Sequence, residues 1–165
     1  MKNLIRSCFF VLLAVLNAHA QTAPTSAQDA PAPTNNAPVG KDSSSALTSA
    51  AWSALDRKDY AAAREAADRC RTLYGAQADE MQGKLTTLPD KETAHQQWAL
   101  NDVGTCVFVL GKAAEGEGKK EEAMVAYKEV VDKYPFAQCW DTQGWFWQPS
   151  VAARERIAFL TLESE

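Results

Sequence analysis

The chain has 165 residues, of which 46% are hydrophobic and 23% charged, with 17 basic side chains against 21 acidic ones. A net charge of −4 without a basic cluster argues against nucleic acid and anionic lipid surfaces as partners. Two histidines and four cysteines without a C-x-x-C pair do not compose a zinc site of the usual spacing, so no metal and no cofactor is expected.

Residues 1–20 read as a secretory signal peptide. Lys2 and Arg6 give a basic start, "SCFFVLLAVL" is an apolar run, and Ala18 and Ala20 place small residues ahead of Gln21. An apolar run of this length is too short for a bilayer, which takes about 20 residues, so no membrane span is expected after cleavage. A bacterial lipoprotein needs a cysteine directly after the cleavage site. The nearest one here is Cys8, at the start of the apolar run, so no lipid anchor is expected. The expected location is periplasmic or secreted, and without Lys2 and Arg6 the balance becomes −6.

Residues 21–42, "QTAPTSAQDAPAPTNNAPVGKD", hold four of the seven prolines and no aromatic residue. Such a segment buries too little apolar surface to offset the entropy of ordering it, and reads as a disordered Pro/Ala linker. Residues 43–165 remain for one folded domain with one core.

From Asp42 onward every long segment has helical periodicity. "SSSALTSAAWSALDRKD", with Asp42 and the serines as cap candidates, repeats Leu47, Ala51, Ala54 and Leu55 at three and four. "DYAAAREAADRCRTLYG" has Asp59 as a cap, a stripe through Tyr60, Ala63, Ala67 and Cys70, an expected Glu65–Arg69 pair, and Gly75 as its expected stop. "AQADEMQGKLTTLPD" predicts a weaker helix, interrupted at Gly83 and ended at Pro89. "KETAHQQWALNDVGTCVFVLGKAAEGEG" predicts a long one, with a stripe through Ala99, Val103, Cys106, Val107, Leu110 and Ala114. Gly104 and Gly111 within it predict close packing of a neighbour. "KKEEAMVAYKEVVDKYP" has Ala123, Tyr127, Val130 and Tyr134 on one face and Pro135 as its end. A last helix, "SVAARERIAFLTLE", is expected to start from a Ser150 cap and turn Ala153, Ile157 and Leu160 inward. No stretch alternates with period two over strand length, so the fold class is all-α.

"KDYAAAREAADRCRTLYG" and "GKKEEAMVAYKEVVDKYP" align without a gap: Lys58 matches Gly118, Ala63 matches Ala123, Cys70 matches Val130 and Gly75 matches Pro135. Together with Leu110 and Gly111 ahead of the second copy, this resembles the tetratricopeptide repeat (TPR), in an exported bacterial type. The first copy departs from the pattern, with Ala50-Ala51 for Leu-Gly and Lys58 for the turn glycine, although Tyr60 fits the aromatic after the turn. The copies are also 60 residues apart where the repeat has 34. The resemblance implies a short stack of antiparallel helix pairs. It also implies protein or peptide binding on the face of the first helices, which places Trp52, Phe108 and Lys112 there, with Lys112 suited to a carboxylate.

The same register puts Cys70 and Cys106 on helices that pack together, which implies a Cys70–Cys106 disulfide with Cys139 left over. A Cys106–Cys139 bridge is the alternative.

After Pro135 comes "CWDTQGWFWQ", Cys139 to Gln148, with a turn signal at Asp141 and Gly144. Trp140, Trp145 and Trp147 therefore lie in a Trp-rich loop at the open end of the stack, before a C-terminal capping helix. Two readings stand: a plug over an exposed apolar end, or a binding surface for protein or for glycan. Catalytic patterns are absent. His95 sits in a polar stretch, and Asn101-Asp102 lie mid-helix, where Asp102 is expected to bond a neighbouring helix end or an indole N–H. No enzyme is expected. The first function class is an adaptor that binds a protein or peptide of the cell envelope. The second is a glycan-binding or glycan-enzyme accessory module using the loop at 140–147.

Overall fold

The computed structural model describes residues 37–140 and 146–163. The leader at 1–20, most of the 21–42 segment, the Asp141–Gly144 turn and Trp145 lie outside them. The described elements are α1 (Ser44–Asp56), α2 (Tyr60–Gly83), a 3₁₀ turn (Ala94–Gln97), α3 (Trp98–Gly116), α4 (Lys120–Lys133), strands β1 (Cys139–Trp140) and β2 (Phe146–Trp147), and α5 (Pro149–Leu162). The architecture is an all-α, TPR-like stack, α1 with α2, α3 with α4, then α5, and one very short antiparallel hairpin.

The helix boundaries follow local chemistry. Ser43 caps α1, its hydroxyl accepting from the Ala46 amide, and Asp59 caps α2 by accepting from Ala62. Between α1 and α2 the Lys58 amide donates to the Leu55 carbonyl and the Asp59 amide to that of Ala54. Between α3 and α4 Gly118 donates to Glu115 and Lys119 to Ala114. Both are the same Schellman turn. Gly118 takes φ +73° there and Lys58 takes φ +59° at the matching position. The turn geometry of the first pair thus survives the loss of its glycine.

The repeat crossings are tight. Ala63 and Ala123 are wholly buried. A methyl at Gly111 would lie 2.5 Å from the Tyr127 ring, and one at Gly104 would lie 2.6 Å from the Ala137 methyl. Tyr60, the aromatic after the first turn, lies against Gly116 of α3 in the same way. These contacts let α3 run through the centre of the stack, with almost every residue from Ala99 to Gly111 buried.

Four expectations are corrected. Gly75 does not stop α2, which continues to Gly83 because Ala78 is buried and Met81 packs on the core; that burial outweighs the roughly 1 kcal/mol cost of an internal glycine. The long helix does not start at Lys91 but at Trp98, after the 3₁₀ turn. Ser150 is not the cap of α5: Gln148 holds that position, Pro149 is the first helical residue, and the Ser150 hydroxyl donates to the Pro135 carbonyl at 3.1 Å. Arg69 turns from Glu65 to Asp42, gripping its carboxylate through two nitrogens at 3.1 and 3.0 Å. The Asp42 carbonyl also accepts from the Tyr74 hydroxyl at 2.6 Å, so this end of the 21–42 segment is tied to the helices.

Candidate functional site

The strand pair explains where the aromatic residues go. Cys139 faces Trp147 and Trp140 faces Phe146 across the hairpin. With period-two alternation, Trp147 turns toward the stack while Phe146 lies on the other side. Trp147 meets the Phe108 ring at 5.1 Å and 78°, and the Trp52 ring at 6.1 Å and 67°. Phe108, only 5% exposed, also touches Trp52 at 6.2 Å and Tyr127 at 5.5 Å. These separations suit edge-to-face contact. The result is a cleft of about 400 Å³ lined by Trp52, Phe108, Cys139, Trp140, Trp147 and Ala152.

Three helices and the hairpin build this cleft. Trp52 and Phe108 come from α1 and α3, the first helices of successive pairs, and Ala152 from α5, the next helix in that position. The hairpin supplies the rest. Trp140 stands at the rim, 56% exposed, with its ring edge-on to Phe146 at 5.2 Å. Phe146 in turn lies 5.4 Å from His95, an exposed residue of the 3₁₀ turn. The sequence reading brought Trp52, Phe108, Trp140 and Trp147 forward separately, and the structure gathers them. It missed Ala152, a small residue whose only signal is its place one turn into α5, and the hairpin itself, because two-residue strands carry no periodicity.

Lys112 lies one turn beyond Phe108 and is paired within the chain, 3.8 Å from Glu115. Glu115 also accepts from the Tyr127 hydroxyl at 2.7 Å and from Arg156 Nε at 3.1 Å, with a second, short Arg156 contact through Nη2. Burial works to raise the Glu115 carboxyl, but the bonds from Arg156 and Tyr127 hold it below the ordinary carboxylate range. Lys112 therefore serves an ion cluster with Glu115 and Arg156.

The hairpin is positioned by Asn101. Its Nδ2 donates to the Ala94 carbonyl at 2.8 Å and its Oδ1 accepts from the Gln138 amide at 2.8 Å. Gln138 Nε2 reaches the Pro89 carbonyl at 2.8 Å. One residue in the first turn of α3 thus ties the irregular 84–97 connection and the hairpin entry to that helix.

A second polar cluster lies under α1. The Ser44 hydroxyl donates to Asp102 Oδ2 at 2.5 Å, which places Asp102 against a helix end as the sequence suggests. Burial pushes the Asp102 carboxyl up to about 6, against the opposing bond from Ser44. Thr48 Oγ1 lies 3.2 Å from Cys106 Sγ and 4.0 Å from Cys70 Sγ. The Cys70–Cys106 disulfide is not formed in the structure, nor is Cys106–Cys139: all three cysteines are thiols. Cys139 turns to Thr105, its Sγ 2.5 Å from Oγ1, and burial pushes its thiol up to about 12. Among the described residues no group of three His, Cys, Asp or Glu side chains is placed to hold a metal ion, and no helix is long and apolar enough to cross a membrane.

A family model of the tetratricopeptide repeat matches residues 106–137, which run from the middle of α3 through α4 to the hairpin entry. No curated protein and no solved structure matches the chain. With the all-α stack and the paired Schellman turns, this makes the chain a TPR-like helical repeat protein. Repeats of this kind are protein–protein interaction modules and typically non-catalytic.

Proposed function

We propose that this chain is an exported, non-catalytic adaptor of the cell envelope, and that it grips a protein or peptide partner in the aromatic cleft. The observation that carries the reading is the convergence of Trp52, Phe108 and Trp147 on one cleft, with Trp140 exposed at its rim. Interface anchors are typically buried or half-buried aromatic residues with a dry surround, and this cleft offers several within one ring diameter of each other. The basic, apolar and small-residue layout of residues 1–20 supports export, and with it a periplasmic or secreted location.

Site-specific photo-crosslinking in the producing cell tests this. A photoreactive residue in place of Trp140 is expected to form one defined protein adduct, while the same residue at Val125, exposed on α4, forms none. Equal adducts at both positions, or none at Trp140, would reject the cleft as the binding surface.

The glycan reading rests on the exposed face of Trp140. The two other indoles of the cleft, Trp52 and Trp147, meet at 67° and offer no coplanar platform for a sugar chain. Quenching of tryptophan fluorescence by soluble polysaccharide, abolished in Trp140→Ala, would favour this reading over the adaptor.

A further inference from the structure

We infer that the partner held in the aromatic cleft presents an arginine beside its apolar anchor, and that the guanidinium seats against the Phe146 and Trp147 rings and the Glu155 carboxylate. The inference rests on the adaptor reading of the cleft and names the chemistry of its partner. A second hollow, of about 340 Å³, is lined by Phe146, Trp147, Gln148, Val151, Ala152 and Glu155. Trp147 and Ala152 line this hollow and the cleft alike, so the two adjoin and one peptide can occupy both.

The charges of this surface favour a basic ligand. Among the described residues Glu155 is the one charged side chain lining either hollow, and it is exposed. Among the described residues it enters no ion pair, whereas Lys112 and Arg156, one turn beyond Phe108 and Ala152, are both engaged by Glu115. Neither of those cations lines the hollows. An acidic ligand therefore meets no counter-charge there, and a basic one does, in a chain whose formal net charge is −4.

Rings beside a carboxylate suit a guanidinium better than an ammonium. A guanidinium is planar, stacks on aromatic faces and bonds a carboxylate through a fork of N–H groups. The chain makes this arrangement for one of its own arginines. Arg156 lies over the Phe159 ring, 4.4 Å from its centroid, while its Nε donates to Glu115 at 3.1 Å. The second hollow offers the same two partners, with no arginine of the described chain between them. A cation–π contact and an ion pair at exposed positions each contribute modestly. The arginine thus sets selectivity, and the apolar side chain in the cleft supplies most of the affinity.

The test titrates the full chain with two pools of acetylated, amidated synthetic peptides, followed by tryptophan fluorescence at low ionic strength. The first pool carries leucine and arginine at several spacings in a glycine and serine background. The second carries citrulline, a neutral isostere, in place of arginine. The arginine pool is expected to bind about fivefold more tightly than the citrulline pool. Glu155→Gln should remove that preference, and Glu121→Gln, at an exposed carboxylate of α4, should keep it. Trp140→Ala should weaken both pools alike, because Trp140 lines the cleft and not the second hollow. Equal binding of the two pools, or a preference that persists in Glu155→Gln, overturns the arginine and leaves the cleft as a binding surface. Binding of neither pool also overturns the inference, and the Trp140 photo-crosslink then decides the adaptor reading separately.

Discussion

Asp102→Asn should raise the stability of the chain at neutral pH and leave it unchanged in acid. The carboxyl sits under α1, where burial pushes it from the ordinary 3.8 to about 6 while the Ser44 hydroxyl, at 2.5 Å, pulls the other way. A folded-state pKa above the unfolded one means that the folded chain binds the proton more tightly. The associated stability is complete below pH 3.8 and is lost as pH rises through about 6. A displacement of that size corresponds to about 3 kcal/mol at ~1.4 kcal/mol per decade. Asp102 keeps some solvent contact, so the realised cost is nearer 1–3 kcal/mol, roughly. Asparagine keeps an oxygen for the Ser44 bond and removes the charge. Urea unfolding from pH 4 to 8 measures the effect as the difference between variant and wild type. That difference cancels Asp42, Glu80, Asp90 and Glu115, whose lowered pKa values act in the opposite direction. The difference should be near zero at pH 4 and should grow in favour of asparagine across pH 5–7. A flat difference, or an asparagine variant that loses ground at pH 7, would refute the reasoning and give the ionised carboxylate a stabilising role.

Gly111→Ala should cost about 1–3 kcal/mol, since its methyl would meet the fully buried Tyr127 ring at 2.5–2.9 Å; an unchanged urea midpoint would mean that α3 and α4 have room to part. Lys58→Gly should add about 1 kcal/mol, because φ +59° is strained for lysine and free for glycine; thermal unfolding checks it, and a loss would show that the lysine stem contributes more than the strain. Asn101→Ala strips the Gln138 amide and the Ala94 carbonyl of their partners and should cost about 1–3 kcal/mol, with hydrogen exchange at residue 138 accelerated more than at the amides of α3 and α4.

The helical pairing was legible because it depends on short-range rules. Ala63, Ala123, Gly111 and Gly118 each announce a crossing or a turn by size and spacing, and the structure uses each as expected. Gly75 misled because a glycine stop is a weak local preference, and the burial of Ala78 further along the helix overrides it. Of the site, the residue identities were visible but not their convergence. Trp52 and Trp147 lie 95 positions apart in sequence, and what joins them is a hairpin fixed by Asn101 and Gln138, neither of which looks structural in a helical pattern. The pairing of Lys112 with Glu115, three apart on one helix, was open to the sequence; the arrival of Arg156 from α5 at Glu115 was not.

The question of whether the tryptophans plug the stack or face outward has a divided answer, and the division has a cause. A stack of two pairs followed by α5 leaves the faces of α1 and α3 uncovered by further repeats, so Trp52 and Phe108 need an apolar neighbour. The hairpin supplies it through Trp147, whose alternation partners Phe146 and Trp140 are necessarily carried to the other side or to the rim. Closing the stack with one strand residue thus displays another. That separation makes Trp140, and not Phe108 or Trp147, the residue at which binding can be altered without disturbing the core. Phe108 touches Trp52, Trp147 and Tyr127 at once, so any substitution there changes packing and recognition together, whereas Trp140 rests on Phe146 alone among the described rings.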